Sequence, residues 1–260
     1  MKFSLHNHTY RCGHAVGTEE DYILQAIKAG FTTFGFADHA PHCYPETHTV
    51  VGRMDVYGGL AEYCEKLRGL REKYKGEIDI KIGLEMEYFP AYHDKTIARC
   101  REEGIEYLIL GQHCTGNEGL PGARFVFGED PEKSGLTKYV DQCIEALSTG
   151  QYSYFAHPEV YNYVGEDLDF RRAEYARLIA KAVEMNVPLE VNLLGLGGGR
   201  HYPSPIFWEE VAKTSAKVVL GCDAHEPGRV FHAETVEKGL RFLDRYGLQP
   251  LEELPTLIRP

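Results

Sequence analysis

The stretch FSLHNH, residues 3–8, decides how the rest of the chain is read. A short β-prone run leads into His6-Asn7-His8, and the two-residue period of an extended chain puts His6 and His8 on one face. The same design recurs downstream. Thr32–Ala37 runs into Asp38-His39, and Ile78–Glu85 into Met86-Glu87. Tyr107–Gln112 stops at His113, Tyr152–Ala156 at His157, and Lys217–Gly221 leads to Asp223-Ala224-His225. Pro188–Asn192 is a seventh run, ending in an amide.

Helical patterns separate these strands, over residues 19–29, 54–74, 91–103, 131–149, 170–186, from Pro205 onward, and 229–246. Glycine-rich loops are expected at Thr115–Gly128 and Gly195–Gly199. Regular alternation of strand and helix implies parallel strands with helical crossovers. Seven units in 260 residues fit a distorted (β/α)7 TIM-like barrel, one domain spanning residues 1–260. In a barrel the carboxyl ends of the strands converge on one mouth. Histidines and carboxylates from six strands would then crowd together, against desolvation and mutual repulsion. Bound cations remove that cost, because imidazole and carboxylate are ligands for zinc, manganese and iron. A metal site at the strand ends is therefore expected.

Composition narrows the partners. The formal charge is −11 without a cluster of Lys or Arg, which argues against nucleic acid as a partner. No run of 18 apolar residues is long enough to cross a membrane. The seven cysteines are odd in number, form no CxxC, and follow an N-terminus without the apolar core of a signal peptide. Reduced thiols in the cytoplasm are expected. The sequence leaves the oligomeric state open.

The successive motifs HNHT (6–9), CGHA (12–15), FADHAPH (36–42), GLEMEY (83–88), GQH (111–113), AHPE (156–159) and GCDAH (221–225) resemble those of the PHP (polymerase and histidinol phosphatase) superfamily, nearest to its histidinol-phosphate phosphatase branch. The resemblance implies three divalent metal ions (Zn, Mn or Fe). One would take His6, His8, Glu85 and Asp223; a second would share Glu85 and add His113 and His157; the third would take His14, His39 and His225. It implies hydrolysis of a small phosphate monoester, L-histidinol phosphate in histidine biosynthesis, by a hydroxide bridging two ions. Arg200, after the glycines of GLGGGR, is expected to clamp the phosphate, beside the catalytic ligands Asp223 and His225. Glu87 and His42 are candidates for substrate binding, and His42, His201 and Glu87 for protonating the leaving group. Asn192 either orients the ligand or finishes its strand.

Of the remaining histidines, His42, His48, His93, His201 and His232, most are expected at the surface. Cys114 and Cys222 should turn away from the mouth. The segments Thr115–Gly128 and Pro41–Arg53 are expected as walls that choose the organic half of the substrate. Alternative readings are a PHP phosphoesterase for a nucleotide or sugar phosphate, or a non-catalytic metal-binding protein. An amidohydrolase-type barrel also begins with HxH, but Asp223-Ala224-His225 with His14 and His39 argues against it.

Overall fold

A computed structural model describes residues 1–45 and 50–260. Seven parallel strands form one sheet in the order β1 (Phe3–Ser4), β2 (Thr33–His39), β3 (Asp79–Met86), β4 (Tyr107–Leu110), β7 (Tyr154–Phe155), β8 (Leu189–Asn192) and β9 (Val218–Gly221). The sheet curls until its first and last strands meet. Asn7 bridges Ala224 in parallel, the His8 amide donates to Ala224 O at 3.0 Å, and the Asp223 amide donates to His6 O at 2.8 Å. The barrel expected from the strand–helix alternation is thus present, nearly closed, with its seam at the mouth.

Helices α1 (Glu19–Lys28), α2 (Gly58–Lys73), α3 (His93–Glu102), α4 (Lys133–Ser148), α5 (Leu168–Glu184), α7 (Pro205–Val211) and α8 (Ala233–Asp244) surround the strands. Helix α1 begins with a capping box, Thr18 and Asp21 each satisfying the other's backbone amide. Helix α2 starts at Gly58 rather than Met54. The Asp55 carboxylate accepts from the amides of Tyr57 and Gly58, holding the preceding residues in a turn. The Gly195–Gly199 segment is only partly a loop, since Leu193–Gly197 form a one-turn helix, α6, capped by Asn192. Within Thr115–Gly128 the structure adds an antiparallel pair, β5 (Cys114–Thr115) with β6 (Arg124–Phe125).

Two cores follow from strand alternation. Leu108 and Leu110 pack outward among the helices, whereas Tyr107 and Ile109 fill the barrel interior with Phe3, Leu5, Tyr154 and Val219. The C-terminal tail closes the lower end: Leu251, Leu254 and Leu257 pack on that inner cluster, and the Leu251 amide donates to Val218 O at 2.8 Å. Side chains fill the barrel interior, and the mouth is its open end.

Removing residues 249–260 would expose the inner cluster to solvent. By analogy with large-to-small core changes it should cost about 2–5 kcal/mol. Urea unfolding should show a lower midpoint for the truncated chain; an unchanged midpoint would mean the tail does not seal the barrel.

Candidate metal centre

Glu85 stands at the middle of the mouth, next to the last residue of β3, and is 1 % exposed. Its Oε1 lies 2.9 Å from His157 Nε2, 3.2 Å from His113 Nε2 and 3.5 Å from His6 Nε2. Its Oε2 lies 3.1 Å from His39 Nδ1 and 3.5 Å from His8 Nε2. Asp223 Oδ1 lies 3.1 Å from His8 Nε2 and 3.4 Å from His6 Nε2. His14 and His225 complete the group, their Nε2 atoms 3.0 Å apart and the His225 ring stacked on His8 at 4.1 Å. All nine expected ligand positions therefore share one cluster. The donor sets that converge include His6-His8-Glu85, His6-His157-Asp223 and His8-His39-His225.

Outer acceptors fix how these rings point. His6 Nδ1 is 3.0 Å from Glu190 Oε2, His113 Nδ1 is 2.8 Å from Glu87 Oε1, His14 Nδ1 is 2.8 Å from Cys12 O, and His225 Nδ1 is 3.0 Å from Asp223 O. Each Nδ1 proton is engaged on the outside, which leaves the Nε2 lone pair facing inward. Asn192 joins two of the carboxylates, donating to Asp223 Oδ2 at 3.0 Å and Glu190 Oε1 at 3.2 Å. Two glycines make this packing possible. A Cβ at Gly111 would lie 2.0 Å from Glu85 Oε1, and one at Gly221 would lie 1.7 Å from Glu190 Oε1. His157 and Asp223 hold positive φ angles of 33° and 49°, uncommon for residues with side chains. Such strain concentrates at functional sites, where the surroundings impose it.

The donor set fits divalent cations. His6 Nε2, both ring nitrogens of His8, His39 Nδ1 and Glu85 Oε2 are buried and lack a hydrogen-bond partner. Burying such atoms unpaired costs about 1–3 kcal/mol each, and a cation among them removes the cost.

Electrostatics without the ions points the same way. Burial opposes charge on every group here. Nevertheless Asp223 and Asp38 push His8 up to about 9, and Glu85 with Glu87 pushes His113 up to about 10. Burial, with Arg53 and His8 nearby, pushes His39 down to about 3, while burial and His8 push His225 down to about 4. Against burial, His113 and His6 hold the Glu85 carboxyl well below the usual carboxylate range.

A cavity of about 370 Å3 opens over the cluster, with Arg200, Arg53, Tyr202, Phe125 and Phe127 on its walls. Arg200 Nη1 donates to the Tyr202 hydroxyl at 2.7 Å. Glu87 and His42, expected at the substrate, are not on those walls. Both are buried behind them, where Glu87 accepts from Arg53 and lies 3.2 Å from His42 Nε2. His201 is turned away, its Nε2 2.7 Å from Val160 O. His42 and His93 are buried rather than at the surface, whereas His201 and His232 are exposed. His48 lies outside the described residues. Cys114 and Cys222 pack inside, as expected, with Cys222 Sγ 3.0 Å from Val230 O.

Sequence reasoning missed Glu190 and Arg53. Glu190 had a signal, a carboxylate in the middle of the otherwise apolar strand Pro188–Val191. A strand buried on both faces has no use for one unless it is paired. Arg53 had none, because it sits in an irregular loop and reaches the mouth only through tertiary structure.

A stability profile follows for the chelator-stripped protein. His8 and His113 have raised values, so they stabilise the fold fully below their ordinary 6.5 and lose that contribution as pH rises through about 9 and 10. His39 and His225 have lowered values, so they destabilise the fold as pH falls below 6.5. Thermal unfolding of stripped protein should show a maximum near pH 6.5; a midpoint that climbs steadily to pH 10 would contradict this balance.

Comparison with known proteins agrees with this architecture. A model of the PHP domain matches residues 4–193. The chain is 37 % identical over 274 residues to a probable histidinol-phosphatase of Schizosaccharomyces pombe, covering 96 % of this chain and 89 % of that one. It is 29 % identical over 256 residues to the histidinol-phosphatase of Bacillus subtilis, covering 88 % and 95 %. In structure it is similar to a histidinol phosphate phosphatase of Lactococcus lactis complexed with zinc, L-histidinol and phosphate, with a TM-score of 0.72 at 17 % identity over 98 % of this chain and 97 % of that one. The chain belongs to the PHP domain family, in its histidinol-phosphatase-like branch.

Proposed function

We propose that this protein is a metal-dependent phosphatase that hydrolyses L-histidinol phosphate to L-histidinol and phosphate, a step of histidine biosynthesis. The observation that carries the metal dependence is the set of unpartnered, buried imidazole nitrogens around Glu85. The substrate rests on the relatives, four of which carry the name histidinol-phosphatase in full or as probable.

His6, His8, His14, His39, Glu85, His113, His157, Asp223 and His225 would hold the ions. Three divalent ions, drawn from zinc, manganese and iron, is the reading that nine donors with a shared central carboxylate support. When bound they supply positive charge for the phosphoryl oxygens and make water a usable nucleophile near neutral pH.

The side chains do the rest. The Arg200 guanidinium, steadied by the Tyr202 hydroxyl, offers donors to a phosphate entering the cavity. Glu190 and Glu87 hold His6 and His113 in register, and Asn192 holds Asp223. We assign Glu87 and His42 to this supporting role rather than to substrate contact. Burial pushes the nearby Cys12 thiol up to about 11, so it is protonated and unsuited to attack.

No described helix is long and apolar enough to cross a membrane. We read the seven free thiols as a sign of a reducing compartment, the cytoplasm, and the −11 charge as unfavourable to a nucleic-acid substrate. Residues 1–260 are taken as one domain, because the tail packs into the barrel that the N-terminal strand begins.

Protein reconstituted with manganese or zinc should release phosphate from L-histidinol phosphate in preference to nucleotide and sugar phosphates, and His8→Ala should abolish it. Metal analysis should find three ions per chain. Activity that survives full metal removal would sink the proposal, and turnover confined to another ester would move the substrate but keep the site. Glu190→Gln should weaken metal affinity by about 10–100-fold in chelator competition while the protein stays folded; unaltered affinity would deny Glu190 its positioning role.

A further inference from the structure

The mouth carries one feature that metal binding and phosphate recognition leave unused. Phe125 and Phe127 line the cavity, yet they are 58 % and 43 % exposed. Two phenyl rings held in water beside a polar site are costly to solvation and mark a surface that awaits an apolar partner. They do not hang on a loose loop. Val126, between them, is buried, and its amide donates to His113 O at 3.1 Å. The Asn162 amide donates to Val126 O at 3.0 Å, and Asn162 Nδ2 donates to Phe127 O at 3.1 Å. At the other end of the hairpin Gln142 clamps Gly116, accepting from its amide at 2.8 Å and donating to its carbonyl at 2.9 Å. The Phe127 ring is stacked on His113 with centroids 5.7 Å apart and planes 20° apart, and His113 is itself held by Glu87. The backbone of the segment is thus held by the barrel, and the Phe127 ring by His113.

The walls named above are otherwise cationic, imidazole or carboxylate, apart from Tyr202 and Leu194. Charge suits the phosphoryl end of an ester. Two neighbouring phenyl rings, one of them stacked on His113, suit a flat organic half, by stacking or by edge contact, and a protonated imidazole adds attraction to a ring face.

We infer that Phe125 and Phe127 form an aromatic jaw that selects phosphate esters whose organic half carries a flat ring. The inference rests on the phosphatase reading and deepens it, since imidazole is such a ring. It names the hairpin β5–β6 and the residues just after it as the specificity element, which donates no metal ligand although Phe127 rests on His113.

The test uses non-hydrolysable probes, so that it does not depend on turnover. Phenylphosphonate and methylphosphonate share the phosphonate head and differ in the ring. Binding of each to the manganese-loaded protein would be measured by calorimetry, for the wild type, Phe127→Ala, Phe125→Ala, the double variant and Phe127→Tyr. The wild type should prefer phenylphosphonate by roughly ten-fold, the size of a ring stack with its burial. The double variant should lose that preference with methylphosphonate affinity unchanged, and Phe127→Tyr should keep it. A wild type that does not distinguish the two probes, or a double variant that weakens both equally, overturns the jaw. Failure of the substrate assignment would look different: the ring preference would persist while L-histidinol phosphate was not hydrolysed. Both side chains are exposed, and equal metal content across the variants will show that each is folded.

Discussion

Everything at the mouth depends on one buried anion. The Glu85 carboxylate has nitrogens of five imidazoles within 3.5 Å, and it is almost wholly shielded from water. A lone carboxylate so placed would carry a large desolvation penalty. Surrounding it with imidazoles, of which His6 and His113 rest their outer nitrogens on Glu190 and Glu87, turns that penalty into a directed set of lone pairs. The geometry of the outer acceptors therefore matters as much as that of the inner donors. Room for both comes from Gly111 and Gly221, where the neighbouring strands surrender a side chain to let a carboxylate in.

The fold was legible because its signal repeats. Six of the seven β-rich runs ended in an ionisable residue at the same end, and a barrel gathers such ends at one mouth. The ligands were legible for the same reason: strand ends are periodic, local features. The rest was not periodic. The hairpin β5–β6 has two residues per strand, too few to show alternation. The start of α2 depended on which backbone amides the Asp55 carboxylate would accept from. Arg53 reaches the cavity from a loop whose path no sequence pattern encodes. Glu87 and His42 were legible as polar residues near the mouth, but which side of the wall they occupied depended on the Arg53 pairing that could not be seen.

The division of labour is spatial. Strand ends supply the donors, the residues after β8 supply Arg200 and Tyr202, and the hairpin after β4 supplies exposed rings. Chemistry sits on the rigid sheet, while the walls are carried by connections that can change without disturbing the strands. A family built this way can keep its reaction and alter its substrate by editing loops.

The seam of the barrel has a consequence for how the protein is made. The bridge between Asn7 and Ala224 joins two segments that are far apart along the chain, the earlier made long before the later. Seven of the nine clustered donors leave the ribosome well before Asp223 and His225, whose strand must close against His6 and His8 before the centre exists. A nascent chain thus carries a row of exposed imidazoles that no finished pocket yet shields. The full donor geometry needs both segments, and a chain that stopped before Asp223 would present scattered ligands without the arrangement that selects among ions.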